Sequence, residues 1–413
     1  MEEQHFVIKG VLYASTDDRL QEVLGRIHET PERPRCMCVA GGIEMYVARH
    51  RLFVIKRMPD TGCRHHPVCP SYQPEMHQSG LGELMGEAVI EHSPESVELR
   101  VDFPFARTPG LTMARGERQD AADVELARRR MSLRAVMHFL FERAGLNRWT
   151  PAMEGKRNQG VLHKYLTEAA EDVMSNGLRL SERLYVPEPF SETGKAEIAQ
   201  RRRSKLAPLQ AVDDAARVKL ALVLGEFKGS EATASGRKVW IKHMPDTPLF
   251  IDTKTWQRIE RVYASLFEAR DADAASKPRI VICALICARR EHTYQIEKAS
   301  LMLTSAQWIP LNGVHEIDLI QALVEQRRRF VKPLQYDAKS AAAFPNALLL
   351  DAGATPLALH VVSGFMSAKD KALKQKTIKD MVLKSGDGAP WVWSTDQPMP
   401  SLQAALIWTE GRR

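Results

Sequence analysis

Long apolar runs are missing from this 413-residue chain. The longest, which contains Val281 to Ala288, is far shorter than the roughly 20 residues a membrane helix needs. The opening Met1-Glu2-Glu3-Gln4-His5 is polar and acidic and does not read as a secretory leader. Cysteine is scarce, six in all, and its uneven placement is unlike a disulfide framework. These absences predict a cytoplasmic, reducing setting, no membrane partner, and thiols that are metal-bound or buried. Several catalytic loops are missing too. There is no Gly-x-Ser-x-Gly, Walker loop, His-Glu-x-x-His or Gly-x-Gly-x-x-Gly. No internal repeat or low-complexity tract is evident.

What is present is ordinary globular material, 44% hydrophobic and 26% charged, enough for sizeable cores. A net charge of +7 favours polyanionic partners. Four of the six cysteines fall in one short stretch: Cys36-Met37-Cys38, then Cys63 and Cys69, with His65 and His66 between the last two. Two close pairs of soft or borderline ligands suit a tetrahedral Zn²⁺ site. Ile43–Ala48 and Leu52–Lys56 read as a β-hairpin whose outer ends carry the pairs and so bring them together. Cys36 and Cys38 form the first pair. The two-residue gap favours His66 and Cys69 as the second, with Cys63 as the alternate and His65 facing away. A site closed by four protein ligands is structural.

The periodicities predict an α+β multidomain chain. Residues 1–110 form an N-terminal α+β module with the zinc hairpin, a strand over 6–14 and a short helix over 17–29. Residues 111–186 form a helical middle, with a polar loop over 110–122. Residues 187–310 form a central α/β domain with strands at 219–227, 238–242, 279–288 and 297–303 and a helix over 253–270. Residues 311–413 run helix, strand, strand, strand, helix, strand. Cys283 and Cys287 share one face of an extended segment and read as buried thiols.

Two places invite comparison with metal-dependent nucleases. The C-terminal order resembles the PD-(D/E)xK, restriction-endonuclease-like core, in which acids on a hairpin and an acid-x-Lys bind Mg²⁺. Glu316 stands in place on the preceding helix. Asn346 replaces the first acid, Leu359-His360-Val361 offers neither second acid nor lysine, and Asp351 reads as a turn residue. The resemblance therefore implies a degenerate domain. A second acid-x-Lys, Glu226-Phe227-Lys228, ends an apolar strand with Asp213 and Asp214 upstream, and is the alternative Mg²⁺-dependent centre. Its plainer reading is a solvated strand end with an ion pair.

The whole chain resembles domain-of-unknown-function family 1173, proteins encoded on plasmids and integrative conjugative elements. The resemblance rests on Arg35-Cys-Met-Cys38, Glu44-Met-Tyr-Val-Ala48, Lys56-Arg-Met-Pro-Asp-Thr-Gly62 and His66-Pro-Val-Cys69. It continues through Gly225-Glu-Phe-Lys228, Trp308-Ile-Pro310 and Phe330-Val-Lys-Pro-Leu-Gln-Tyr-Asp337. It implies a role in transfer, maintenance or defence of a mobile element and supplies no mechanism. The expectation is a zinc-containing, non-catalytic binder of DNA or RNA. Arg201, Arg202, Arg203 and Arg327, Arg328, Arg329, with the run at 128–130, would meet phosphates. An adaptor for conjugation or defence proteins is the other alternative.

Overall fold

A computed structural model of the chain describes residues 3–49, 52–93, 96–108, 129–210, 217–272, 277–384 and 390–405. The loop expected over 110–122, Arg128, Asp213 and Asp214 lie outside them. The architecture is mixed α+β, as the periodicities predict.

The N-terminal stretch expected as one strand is a hairpin, His5–Ile8 with Val11–Ala14. Lys9 and Gly10 both take positive φ, 49° and 77°, the backbone that a tight two-residue turn demands. The sheet then runs through Arg35–Cys36, Ile43–Arg49 and Phe53–Arg57, every pair antiparallel. Helix Leu20–Ile27 buries Leu20, Leu24 and Ile27 against it, the stripe of an amphipathic helix.

The middle holds two core helices. Leu133–Arg143 is capped by Ser132, whose hydroxyl accepts from the Ala135 amide, and Gln159–Ala169 by Asn158, which accepts from Val161. The region is not purely helical. Val173–Ser175 lies parallel to Ser96–Leu99 in a second sheet, and Arg148–Trp149 is the edge strand of the C-terminal sheet.

The central segment is a closed barrel rather than an α/β layer. Strand Val218–Thr233 is long enough to pair twice: Leu220–Glu226 with Arg279–Arg290, and Phe227–Thr233 with Gly236–Ile241. Gly236–Ile241 then pairs with Leu249–Asp252, which runs parallel to Thr293–Thr304, and that strand returns antiparallel to Arg279–Arg290. Five strands thus close a ring. Helices Thr253–Val262 and Ala264–Ala272 join the third and fourth strands, and Trp256 and Ile259 reach the barrel's core. Alternation sorts the rest. Val223, Ile282 and Ile286 face inward, whereas Leu222, Leu224, Cys283 and Leu285 face outward into a second core shared with the middle helices.

The C-terminal segment keeps the expected order: Ile317–Glu325, Phe330–Val331, Ala347–Leu349, Leu357–Val362, Ala368–Lys384 and Trp391–Ser394. Its first three strands are antiparallel neighbours and the last joins parallel. Cores cross the four segments drawn from sequence, since one cluster contains Leu84, Met137, Leu222 and Leu334. No helix among the described residues is long and apolar enough to cross a membrane.

One close approach fixes how the N-terminal part meets the C-terminal part. The Gly80 amide donates to the Leu334 carbonyl at 2.9 Å, and a Cβ on Gly80 would stand 2.1 Å from the Gln335 carbonyl oxygen. Gly80→Ala should therefore lower stability in urea unfolding by about 1–3 kcal/mol. Gly229→Ala, which meets nothing within 4 Å, should change it far less.

Candidate functional site

Cys36 sits in the N-terminal sheet, opposite Ile43 on one side and Phe6 on the other. Cys38 follows just before a turn whose Gly41 and Gly42 take positive φ. The second pair arrives after strand Phe53–Arg57, through the short helical turn Gly62–Arg64. The Cys36 and Cys69 sulfurs are 3.8 Å apart, and His65 Nδ1 lies 3.3 Å from Cys38 Sγ and 3.7 Å from Cys69 Sγ. All four ligand atoms lie within 4.8 Å of one another. A tetrahedron with thiolate bonds of about 2.3 Å and an imidazole bond of about 2.0 Å has edges of roughly 3.5–3.8 Å. The spacing is that of a set able to hold one metal ion.

The histidine is His65, not His66, and this corrects the ligand set read from the spacing. His65 N donates to Gly62 O and Cys69 N to His66 O, so the chain turns twice here and carries the His65 ring inward, where it is 2% exposed. His66 serves through its backbone, whose N–H bonds to the Cys38 sulfur. Cys63 is exposed and outside the four.

Amide donors surround the sulfurs. Ser71 N reaches Cys69 Sγ at 3.4 Å, Gln4 Nε2 reaches it at 3.5 Å, and the Cys38 backbone serves Cys36. Hydrogen bonds from Cys36 and Cys38 hold the Cys69 thiol far below its ordinary range, while bonding to Cys38 and Cys69, with burial, pushes Cys36 far up. Three sulfurs this close cannot all ionise alone. A cation among them removes the conflict.

The acid-x-Lys pair does not converge. Glu226 is held by Arg279 at 3.0 Å and Lys242 at 3.3 Å, while Lys228 is exposed on a bulge between Phe227 and Gly229. Asp213 lies outside the described residues.

The arginine runs divide in the same way. Arg201 is exposed and bonds Glu188, and Arg203 is exposed. Arg202 is buried against Asp246 and Thr247. Arg327 is exposed beside Glu154, and Arg329 is half-buried. Arg328 is buried in a forked pair with Asp351, whose carboxylate also accepts from the Arg329 amide. Arg202 and Arg328 therefore present no face to a phosphate, and Asp351 is a buried ion-pair partner rather than a turn residue. Of the 128–130 run, Arg129 is tied to Glu83 and Arg130 is exposed.

In the C-terminal part Glu316 and Lys332 are both fully buried and paired at 3.0 Å. Asn346 Nδ2 donates to Glu316 Oε1 at 2.6 Å. Lys374 is buried as well, so the exposed cations of its helix are Lys369, Lys371, Lys376 and Lys379.

Sequence reasoning missed one surface. On the second and third barrel strands Val239 and Leu249 point into the core. Lys238, Trp240 and Phe250 therefore point outward, with Lys238 directly across from Phe250. All three are partly exposed, and Arg289 stacks its guanidinium 5.6 Å from the Phe250 ring centre. Beside Trp240 a groove of about 780 Å³ is lined in part by Phe190, Lys228, Lys242 and His243. The alternation of aromatic and basic residues was visible in Lys238-Val-Trp-Ile-Lys242. Closure of the barrel was needed to say which face is covered.

A candidate metal centre, a barrel and a mixed C-terminal sheet thus define an α+β protein with shared cores. The chain belongs to the family described as protein of unknown function (DUF1173), whose model matches residues 6–396. No curated protein and no solved structure matches it.

Two contrasting pairs of variants test these placements. His65→Ala should lose bound metal by elemental analysis, and His66→Ala should keep one equivalent. Arg328→Ala should cost about 3–5 kcal/mol in chemical denaturation because it strands a buried carboxylate. Arg327→Ala should cost about 0–1 kcal/mol.

Proposed function

We propose that this chain is a zinc-containing, non-catalytic protein of a mobile genetic element that binds single-stranded DNA or RNA along the outer face of its central barrel. The observation that carries the reading is the surface of Lys238, Trp240 and Phe250, continued by Lys228 and Lys242. Aromatic faces stack on bases whatever their sequence, and neighbouring cations follow the backbone. Glu231, across from Lys238, makes the face less than uniformly basic. Strand order supports the same reading. A five-stranded ring with a helix between strands three and four resembles the OB-fold, whose ligands lie on strands two and three. Fold alone does not assign function, so the weight rests on the side chains.

The metal in this reading is Zn²⁺, held by Cys36, Cys38, His65 and Cys69. Three thiolates and an imidazole suit it, and four protein ligands leave no open position for chemistry. Its contribution is folding free energy for the N-terminal module. Three metal-held thiolates and three cysteines outside any disulfide fit a reducing cytoplasm.

Anisotropy with a labelled single-stranded oligonucleotide tests the reading. Trp240→Ala and Phe250→Ala should each weaken binding about 5- to 150-fold, the range for one stacked base. Lys238→Ala should lower the salt slope by about 1. Unchanged binding in all three would sink the proposal. Mg²⁺-dependent cutting that disappears in Glu226→Ala would favour the nuclease reading instead. Salt-insensitive failure to bind, with a protein recovered in its place, would favour the adaptor.

A further inference from the structure

The C-terminal domain holds an unbalanced buried charge. Two ammonium groups, Lys332 and Lys374, are buried against a single buried carboxylate, Glu316. Lys332 takes that carboxylate at 3.0 Å. Lys374 has only neutral acceptors, the Phe344 carbonyl at 2.6 Å and Asn346 Oδ1 at 2.8 Å. Among the described residues no carboxylate pairs with it. Asn346 cannot compensate, because its oxygen also accepts from Val361 N and its amide nitrogen is spent on Glu316. A buried cation without a counter-ion is costly, and ordinary packing does not retain one for nothing.

Lys374 borders a cavity of about 200 Å³, also lined by Asn312, His315, Gln335, Asn346 and Asp370. At about 30 Å³ per water the space holds roughly six or seven waters, ample for a group of four or five heavy atoms. The Asp370 carboxylate is exposed and bonded to Ser367 at the start of the helix. His360, fully buried and within Coulombic reach of Lys374, has no hydrogen-bond partner on either ring nitrogen among the described residues, a second sign of incomplete polar balance. Burial pulls the Lys374 ammonium down to about 7.

We infer that this cavity binds one small oxyanion, with Lys374 as its cationic ligand. The ligand chemistry is an oxygen-bearing anion, a phosphoryl group or a carboxylate, for which a lysine serves as a point charge. The inference does not rest on the nucleic-acid reading and concerns another part of the molecule.

The test uses the full chain in a buffer without oxyanions and follows thermal unfolding while inorganic phosphate, or separately acetate, is added. One of the two should raise the melting temperature in a saturable way, and which one does identifies the class. Lys374→Met should weaken that binding at least about tenfold, the effect of losing a hydrogen bond from a charged group. Replacing a buried, unpaired charge with an apolar chain of similar length should not unfold the protein. Should it do so, Lys374→Gln keeps a donor to Asn346 and carries the same expectation. The double variant Trp240→Ala, Phe250→Ala should keep the anion response, so failure of the barrel reading leaves this one standing. No response to either anion, or an equal response in wild type and the Lys374 variants, overturns the inference.

Discussion

The two largest cores of this protein are hung on one strand buried on both faces. Val218–Thr233 sends Val223 and Phe227 into the barrel and Leu220, Leu222 and Leu224 into the core beneath the middle helices. Few strands carry two cores, and one that does must be apolar at consecutive positions rather than at alternate ones. Leu220-Ala-Leu-Val-Leu224 meets that demand. Its length lets it turn from one partner to another, which is what closes the ring. The helices on one side and the barrel core on the other therefore share a wall, and neither is expected to survive without it.

That wall also explains what could be read from the amino-acid order. The strands at 219–227, 238–242, 279–288 and 297–303 were visible because buried strands announce themselves by apolar runs. Closure was not, because it depends on pairing Leu220 with Cys287 across more than sixty residues of chain. The metal cluster was visible as a composition, and three of its four ligands as positions. His65 was missed because two adjacent histidines differ only in which way a turn throws the side chain. The buried arginines were more accessible than they looked. Ile198, Arg202 and Leu206 repeat every fourth residue on one helix, a helical stripe into which Arg202 falls. A run of charge says nothing about exposure until its period is compared with that of its apolar neighbours.

Most of the charge in the interior follows one rule. Arg328 with Asp351, and Lys332 with Glu316, are complete pairs bonded on several sides. Glu226, the most enzyme-like acid in the sequence, is likewise satisfied by two cations. Arg157, held by backbone carbonyls, also lacks a carboxylate, but among the described residues Lys374 departs from the pattern beside empty space. The contrast between neutral pairs and an unmatched ammonium separates ion pairs that hold structure together from a group with chemistry left to offer.

The metal loop also grips something far from it in sequence. Arg148, on the edge strand of the C-terminal sheet, donates at 2.9 Å to the Cys69 carbonyl and also bonds the Tyr72 carbonyl. Cys36 and Cys69 share a small core with Val331 and Leu348 of that same sheet and with Leu350 just past its strand. The surroundings of the candidate metal centre are thus a joint as much as a fold. Were an ion bound there and then lost, the first event would be a partial opening along this seam rather than global collapse, a local unfolding unit with its own free energy. Such an opening would bare the apolar face of Leu348 and Leu350 while the barrel stayed shut. Sheet surface of that kind, exposed in an otherwise folded molecule, is where self-association begins. An ion held by these four side chains would thus bear on whether the protein stays monodisperse before it bears on whether it stays folded.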